Sequence, residues 1–334
     1  MLSDLFKRKI DYLRLSVTER CNLRCEYCMP FDSSSLRSSS LRASPSLHLL
    51  TFEEIERLVR ILVSLGIRRV RLTGGEPFVR KNLPDLVRKL CQIPQLEEVL
   101  MTTNGILLKR YAQDLRGAGL KKINIHLDSL DAKKFRQVTR WGDLSGVLKG
   151  IEVARKVGFF PIKINTVLQK GFNDDEVENL LLFCVNRGFI LRLIELMPIG
   201  PARERTQAFI SCGEIRERLA EKYTLLPILL RRGSGPAVYY RVVELETEIG
   251  FISPVSQPFC ERCNRIRISA DGRFQDCLAY DGRFSLRDLL RDPDCSDEAI
   301  ARQIADLMQG KRESHFNFAQ WEEERTPCMY GIGG

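Results

Sequence analysis

No apolar run among the 334 residues approaches the ~18 consecutive positions that a helix needs to cross a bilayer. Met1 to Lys9 hold no apolar stretch of the kind found at the centre of a secretory leader. The expectation is a cytoplasmic protein with no membrane partner. Wholesale disorder is excluded too, because hydrophobic residues reach 44% and charged residues 28%. A dense basic stripe is missing. The 52 lysines and arginines outnumber the 43 aspartates and glutamates, for a net charge of +9, but the arginines are scattered. That excess suits an anionic partner such as a phosphate-rich metabolite, while the scatter argues against nucleic acid. An even cysteine count is missing as well. Eleven cysteines in a reducing compartment do not make a disulfide framework.

Six of the cysteines fall into two groups: Cys21, Cys25 and Cys28, then Cys260, Cys263 and Cys277. The other five, Cys91, Cys184, Cys212, Cys295 and Cys328, are scattered. Cys91 and Cys184 lie in apolar helical stretches and are expected in the core.

The first two-thirds of the chain alternates short β-rich runs with amphipathic helical patterns. The runs are Tyr12–Val17, Arg69–Leu72, Val99–Thr102, Ile123–Leu127, Ile162–Val167 and Ile190–Leu196. Helical patterns cover Thr51–Leu65, Leu83–Cys91, Leu107–Ala118, Leu144–Val157 and Asp175–Asn186. Thr51 with Glu54 three residues on is a capping box. Such repeats without hairpin signals predict a parallel sheet, open or closed. After Met197 the rhythm changes to an α+β pattern. Helices are expected at Ser211–Glu221 and Asp297–Gln309, strands at Tyr239–Val243, Gly250–Ile252 and Arg265–Ser269, and turns at Asp271-Gly272 and Asp281-Gly282. The expected division is residues 1–200 and 201–334. Ser33–Ser46, with eight serines, reads as a mobile insertion.

Three cysteines on one loop can ligate three corners of a cubane iron–sulfur cluster and leave the fourth iron open to a small molecule. A structural zinc site would need a fourth ligand. The run Cys21-Asn-Leu-Arg-Cys25-Glu-Tyr27-Cys28 resembles the signature of radical S-adenosylmethionine (SAM) enzymes. Gly74-Gly75-Glu76-Pro77 after the second strand strengthens the likeness. Glycines there let backbone approach the methionyl end of SAM, with Glu76 expected to support its ammonium.

The second group also has three cysteines. Cys295 could complete a zinc set; otherwise a second cluster with an open iron is implied. Arg265 and Arg267, alternating on a predicted strand, face one side together, either as a solvated face or as a polyphosphate clamp. Both cysteine groups resemble those of the GTP 3′,8-cyclase family. The likeness extends over Arg71-Leu-Thr-Gly-Gly-Glu-Pro77, Thr102-Thr-Asn-Gly105, Asn124 to Leu130, Leu168-Gln-Lys-Gly171, Glu195-Leu-Met197, Phe259 to Arg267 and the terminal Gly333-Gly334.

That resemblance implies an incomplete (β/α)6 TIM-like barrel with a smaller C-terminal α+β extension, which would close the barrel's open side. It implies two [4Fe-4S] clusters, on Cys21, Cys25, Cys28 and on Cys260, Cys263, Cys277. SAM contacts fall at Tyr27, Gly75, His126 and Met197. GTP contacts fall at Arg14, Arg71, Thr102, Lys163, Arg265 and Arg267, with Arg71 expected at a strand end. Arg265, Arg267, Gly333 and Gly334 are implied in catalysis. The implied reaction is the SAM-dependent radical cyclisation of GTP, first in molybdenum cofactor biosynthesis. Implied partners are a flavodoxin- or ferredoxin-type electron donor, the downstream cyclic pyranopterin monophosphate synthase, and a second copy of the chain. The alternative is another radical SAM enzyme with an auxiliary cluster acting on a peptide or nucleic acid. Two features depart from the family: His126 stands at a usual serine, and the serine-rich segment follows the first cysteine group.

Overall fold

Six β–α units follow one another from Tyr12 onward, in a computed structural model that describes residues 1–30, 48–229, 235–280, 282, 284–314 and 329–332. The serine-rich segment, Asp281, Cys328, Gly333 and Gly334 lie outside the described residues. The strands are β1 (Tyr12–Ser16), β2 (Arg69–Thr73), β3 (Glu98–Thr103), β4 (Lys122–His126), β5 (Ile162–Leu168) and β6 (Ile190–Glu195). Each pairs in parallel with the next. The helices between them are α1 (Phe52–Ser64), α2 (Leu83–Cys91), α3 (Leu108–Gly117), α4 (Ala132–Thr139), α5 (Leu144–Lys156) and α6 (Val177–Val185).

α1 shows how sequence sets these elements. Thr51 Oγ1 accepts from the Glu54 N–H, and the Glu54 carboxylate accepts from the Thr51 N–H, so the capping box forms. Ile55, Leu58, Val59 and Leu62 recur at helical spacing and are buried against the sheet. α4 escapes a periodicity reading because only Phe135, Val138 and Thr139 of its eight residues are buried. Its signal is the cap: Asp131 accepts from the N–H groups of Lys133 and Lys134.

Beyond residue 200 the chain adds α7 (Cys212–Ala220), β7 (Leu225–Pro227), β8 (Val238–Val242), β9 (Thr247–Ile252), β10 (Arg265–Ile268), β11 (Arg273–Gln275), β12 (Phe284–Ser285), α8 (Leu286–Arg291), α9 (Asp297–Gln309) and α10 (Met329–Ile332). β9 pairs in parallel with β6, and β10 pairs in parallel with β1. One sheet results, ordered β12-β11-β10-β1-β2-β3-β4-β5-β6-β9-β8-β7. The incomplete barrel is thus extended at both margins, each finished by antiparallel strands.

Two sequence expectations are corrected. Cys91 is exposed, because it is the last residue of α2 and falls off that helix's buried face, whereas Cys184 is buried. Arg71 is the midpoint of β2, not its end, since pairing continues to Ser16↔Thr73.

Candidate active site

A cavity of about 700 Å³ occupies the lumen of the partial barrel. The register of the strands explains its lining. Arg267, Arg14 and Arg71 are abreast on β10, β1 and β2. Thr102, Asn124 and Lys163 form a second row on β3, β4 and β5. His126, Asn165, Arg192, Gly250 and Tyr239 form a third across β4 to β8. Neighbouring strands lie about 4.8 Å apart, so side chains in one row touch. All of these except Gly250 line the cavity, as do Cys21, Cys25, Tyr27, Cys28, Gly75, Met197 and Arg265.

The first cysteine loop follows β1 and is pinned from three sides. Gly75 N–H donates to Thr18 O (2.8 Å) and Glu76 N–H donates to Arg20 O (2.9 Å). Trp141 Nε1 donates to Asn22 O (2.9 Å), and Glu26 N–H donates to Val138 O (3.0 Å) at the end of α4. Asn104 Nδ2 donates to Asn22 Oδ1 (2.8 Å) and reaches Cys21 Sγ (3.9 Å), which also accepts from Leu23 N–H (3.4 Å). Glu76 takes a role the sequence did not suggest. It is fully buried and accepts from Thr103 Oγ1 (2.7 Å), Asn104 N–H (2.8 Å) and Phe78 N–H (3.3 Å). Its carboxylate therefore anchors the 103–104 turn instead of lining the cavity. Burial pushes its pKa up to about 7.

Tyr27 hangs from this loop. Its hydroxyl lies 2.5 Å from His126 Nε2 and donates to Asp128 Oδ2 (2.7 Å), while His126 Nε2 is itself 2.7 Å from Asp128 Oδ2. Asp128 is buried and takes a further bond from Val167 N–H (2.8 Å). Burial opposes charge on His126, but the neighbouring Asp128 outweighs it and raises the imidazole pKa. His126 thus closes a triangle that serine is too short to close. Stability from this raised group is complete below the ordinary value of 6.5 and fades as pH climbs through the folded value. His126→Ser is expected to lower stability by about 1 kcal/mol at pH 6. The gap to the parent should shrink toward pH 8 in paired thermal melts. A gap that widens with pH contradicts the triangle.

The cations crowd one another. Arg14 falls well below its ordinary pKa, by burial first and then by Arg267. Burial and Arg265 bring Arg267 down to about 10. Arg192 is lowered by burial, with Arg71 adding to it. Tyr12 and Tyr239 answer this field: burial raises their phenols, but Arg71 and Arg192 respectively lead the cations that pull them below the ordinary value. Arg71 Nε donates to Tyr12 OH (2.6 Å), and Lys163 Nζ donates to Tyr239 OH (3.0 Å). Arg192 donates twice to Asn165 Oδ1 (2.8 and 2.6 Å). With its amide oxygen turned toward them, Asn124 accepts from Arg192 (2.5 Å) and Arg71 (2.8 Å). Arg192, Asn165 and Tyr239 were not singled out from the sequence. The available signal was one arginine inside the otherwise apolar Ile190–Ile194.

The second cysteine group brackets a hairpin. Cys263 precedes β10, Cys277 follows β11, and Arg267↔Gln275 pairing brings the two ends together. The tight turn uses Gly272 at φ +85°. Cys260 joins Cys263 through a single turn, Cys263 N–H to Cys260 O (3.0 Å). Phe259 and Leu278, flanking this group, line the cavity, and Arg265 lies 4.9 Å over the Phe259 ring. Burial acts to raise the Cys263 thiol, but Arg265 and Lys311 outweigh it and bring it down to about 7. Cys21 is pushed by burial up to about 11. Cys295 packs instead beside α1, where Arg57 donates to its carbonyl (3.1 Å). Among the described residues no three of His, Cys, Asp and Glu converge on one metal ion. Of the tail, Met329 lines the cavity and packs with Met197, Ile199 and Leu278.

Comparison with known proteins matches this layout. A radical SAM superfamily profile covers residues 15–184, and a Molybdenum Cofactor Synthesis C profile covers 189–317. GTP 3′,8-cyclase of Moorella thermoacetica is 41% identical over 333 residues, spanning the whole of both chains. The chain belongs to the GTP 3′,8-cyclase family. Another member, GTP 3′,8-cyclase 1 of Pseudomonas aeruginosa, is 46% identical over 329 residues, covering 98% of this chain and 97% of its own. The crystal structure of Streptococcus suis SuiB bound to precursor peptide SuiA superposes with a TM-score of 0.64. It covers 93% of this chain and 68% of SuiB at 14% identity, a likeness of fold.

Membership in the GTP 3′,8-cyclase family carries a [4Fe-4S] cluster and SAM. The first loop fits a cluster: it offers three thiols with, among the described residues, no fourth ligand converging on them, and Cys21 Sγ already accepts an N–H bond suited to a thiolate. The three sulfurs of a cubane bind separate irons, so they need not meet at one point as zinc ligands do. No helix among the described residues is long and apolar enough to cross a membrane.

Proposed function

We infer that this chain cyclises GTP to (8S)-3′,8-cyclo-7,8-dihydroguanosine 5′-triphosphate, the first step of molybdenum cofactor biosynthesis. The observation that carries the substrate is the row Arg267–Arg14–Arg71, whose members face the same lumen as the first thiol loop. Guanidiniums held abreast repel, and a polyanion placed among them relieves the repulsion. A triphosphate supplies that charge. Lys163, Arg192 and Arg265 line the same cavity and extend the cationic wall.

Cys21, Cys25 and Cys28 would hold the first cluster, which when bound would supply the electron that splits SAM into methionine and a 5′-deoxyadenosyl radical. Tyr27, Gly75, His126 and Met197 would wall the SAM end of the cavity. That radical would take the hydrogen atom from ribose C3′ and become 5′-deoxyadenosine, C3′ would bond to C8, and one further electron from the external donor with one proton at N7 would complete the product. Arg14, Arg71, Thr102 and Lys163 would fix the nucleotide so that C3′ rather than another carbon is presented. Cys260, Cys263 and Cys277 would hold a second [4Fe-4S] cluster at the guanine end, with Arg265 and Arg267 beside it. By the family resemblance Gly333 and Gly334, which lie outside the described residues, would enter the cavity that Met329 lines. A flavodoxin- or ferredoxin-type donor, a cytoplasmic setting, a second copy of the chain and the enzyme that takes the cyclised nucleotide onward complete this reading.

The test is anaerobic 5′-deoxyadenosine formation after cluster reconstitution, with SAM, dithionite and each nucleoside triphosphate in turn. GTP alone is expected to stimulate cleavage and to give an acid-convertible pterin. Equal stimulation by ATP, CTP or UTP overturns the substrate.

A further inference from the structure

Lys311 lies just after α9 and is 3% exposed, yet it does not line the substrate cavity. Its ammonium donates to Arg265 O (3.3 Å) and to Asp276 O. Those carbonyls sit at the base of the β10–β11 hairpin, two residues after Cys263 and one before Cys277. The third thiol is tied to the same segment. Arg8 Nη1 donates to Cys260 O (2.9 Å) and Glu313 O (2.6 Å), and its Nη2 donates to Arg312 O (2.6 Å). Arg8 is neutralised by buried Asp4 at 2.5 Å. The hydrogen-bond partners of Lys311 among the described residues are neutral carbonyls. A lysine charge is therefore held behind the second thiol triad, on low-dielectric ground where it acts strongly.

Through those two carbonyls the ammonium is tied within two residues of Cys263 and one of Cys277 along the hairpin. Cluster potentials follow net charge, hydrogen bonding and exposure around the sulfurs.

We propose that the buried ammonium of Lys311 raises the reduction potential of the cluster held by Cys260, Cys263 and Cys277. It acts through the cluster and is a positioning residue, since it touches neither cavity nor substrate. The proposal rests on the second-cluster reading, so that cluster is tested first in a background with Lys311 intact and the first thiols removed. Full-length protein carrying Cys21→Ser, Cys25→Ser and Cys28→Ser is reconstituted, and iron, sulfide and the electron paramagnetic resonance signal are measured. No cluster there ends the second-cluster reading and this proposal with it.

With the cluster present, its midpoint potential is titrated in Lys311→Gln, Lys311→Met and Lys311→Arg. Gln keeps N–H donors for both carbonyls without charge, and Arg keeps the charge. The expected result is a negative shift of similar size in Gln and Met, with Arg close to the parent. Cluster loss in Gln and Met with retention in Arg supports the same charge requirement. A parental potential in Gln, or cluster loss in all three, overturns the proposal and leaves Lys311 a packing strut.

Discussion

Gly75→Ala is expected to empty the first cluster site while leaving the barrel folded. An added Cβ at Gly75 would sit 2.4 Å from Arg20 O, 2.6 Å from Arg20 C and 2.8 Å from Glu19 O. These are backbone atoms, so no rotamer change relieves the clash. Arg20 O is also held by the Glu76 N–H at 2.9 Å. The remaining escape is to push residues 19–20 outward, and Cys21 is next in the chain. Overpacking of this kind costs about 1–3 kcal/mol, enough to distort a loop but not to unfold the sheet. Iron and sulfide per chain should fall by the content of the first cluster, with SAM cleavage lost and the far-ultraviolet circular dichroism unchanged. Full iron content with parental SAM cleavage would show that the contact between Gly75 and Arg20 is not what shapes the loop.

Arg14→Met is expected to move stability and binding in opposite directions. Arg14 is abreast of Arg267 on one side and Arg71 on the other, and its depressed pKa means that charge there opposes folding. Below an arginine's ordinary pKa the unfolded chain carries that charge freely, so the penalty falls on the folded state throughout the neutral range. Methionine fills similar space without charge, and the melting temperature of the ligand-free protein should rise. If the proposed nucleotide site is right, the same change removes a charge-assisted contact worth about 1.5–3 kcal/mol to bound triphosphate. GTP affinity should drop by about 10- to 150-fold at unchanged iron content. A melting temperature that falls together with affinity would mean that Arg14 braces the barrel rather than waiting for an anion.

Much of this was legible in the chain because parallel β–α units advertise themselves twice, by apolar runs and by amphipathic helices. Thr51 and Glu54 marked the start of α1 to the residue. The cysteine spacings carried the sites because a turn and a hairpin are short-range devices: Asp271-Gly272 closes the loop that returns Cys277 to Cys263. What stayed hidden depends on register. Nothing in Ile190–Glu195 says that Arg192 faces inward with Asn165, because that follows only from how β5 and β6 align. Glu76 was misjudged for the same kind of reason. Its partners, Thr103 and Asn104, are 27 and 28 residues away, at the end of the next strand, β3. The short strands β7, β11 and β12, of two or three residues each, are too short for any alternation to show.

The pairing of β10 with β1 has a bearing on how the chain is made. Residue 14 leaves the ribosome some 250 residues before its neighbour Arg267, and β6 likewise waits for β9. During synthesis the six-stranded intermediate has two bare margins, each able to accept a foreign strand. The closing strand on the β1 side is also the one that brings Arg265 and Arg267 up against Arg14. The nascent barrel is thus spared its worst electrostatic conflict until the last parallel strand docks. A chaperone that shields strand edges, or a nucleotide already present when Arg267 arrives, would be most useful at that late moment.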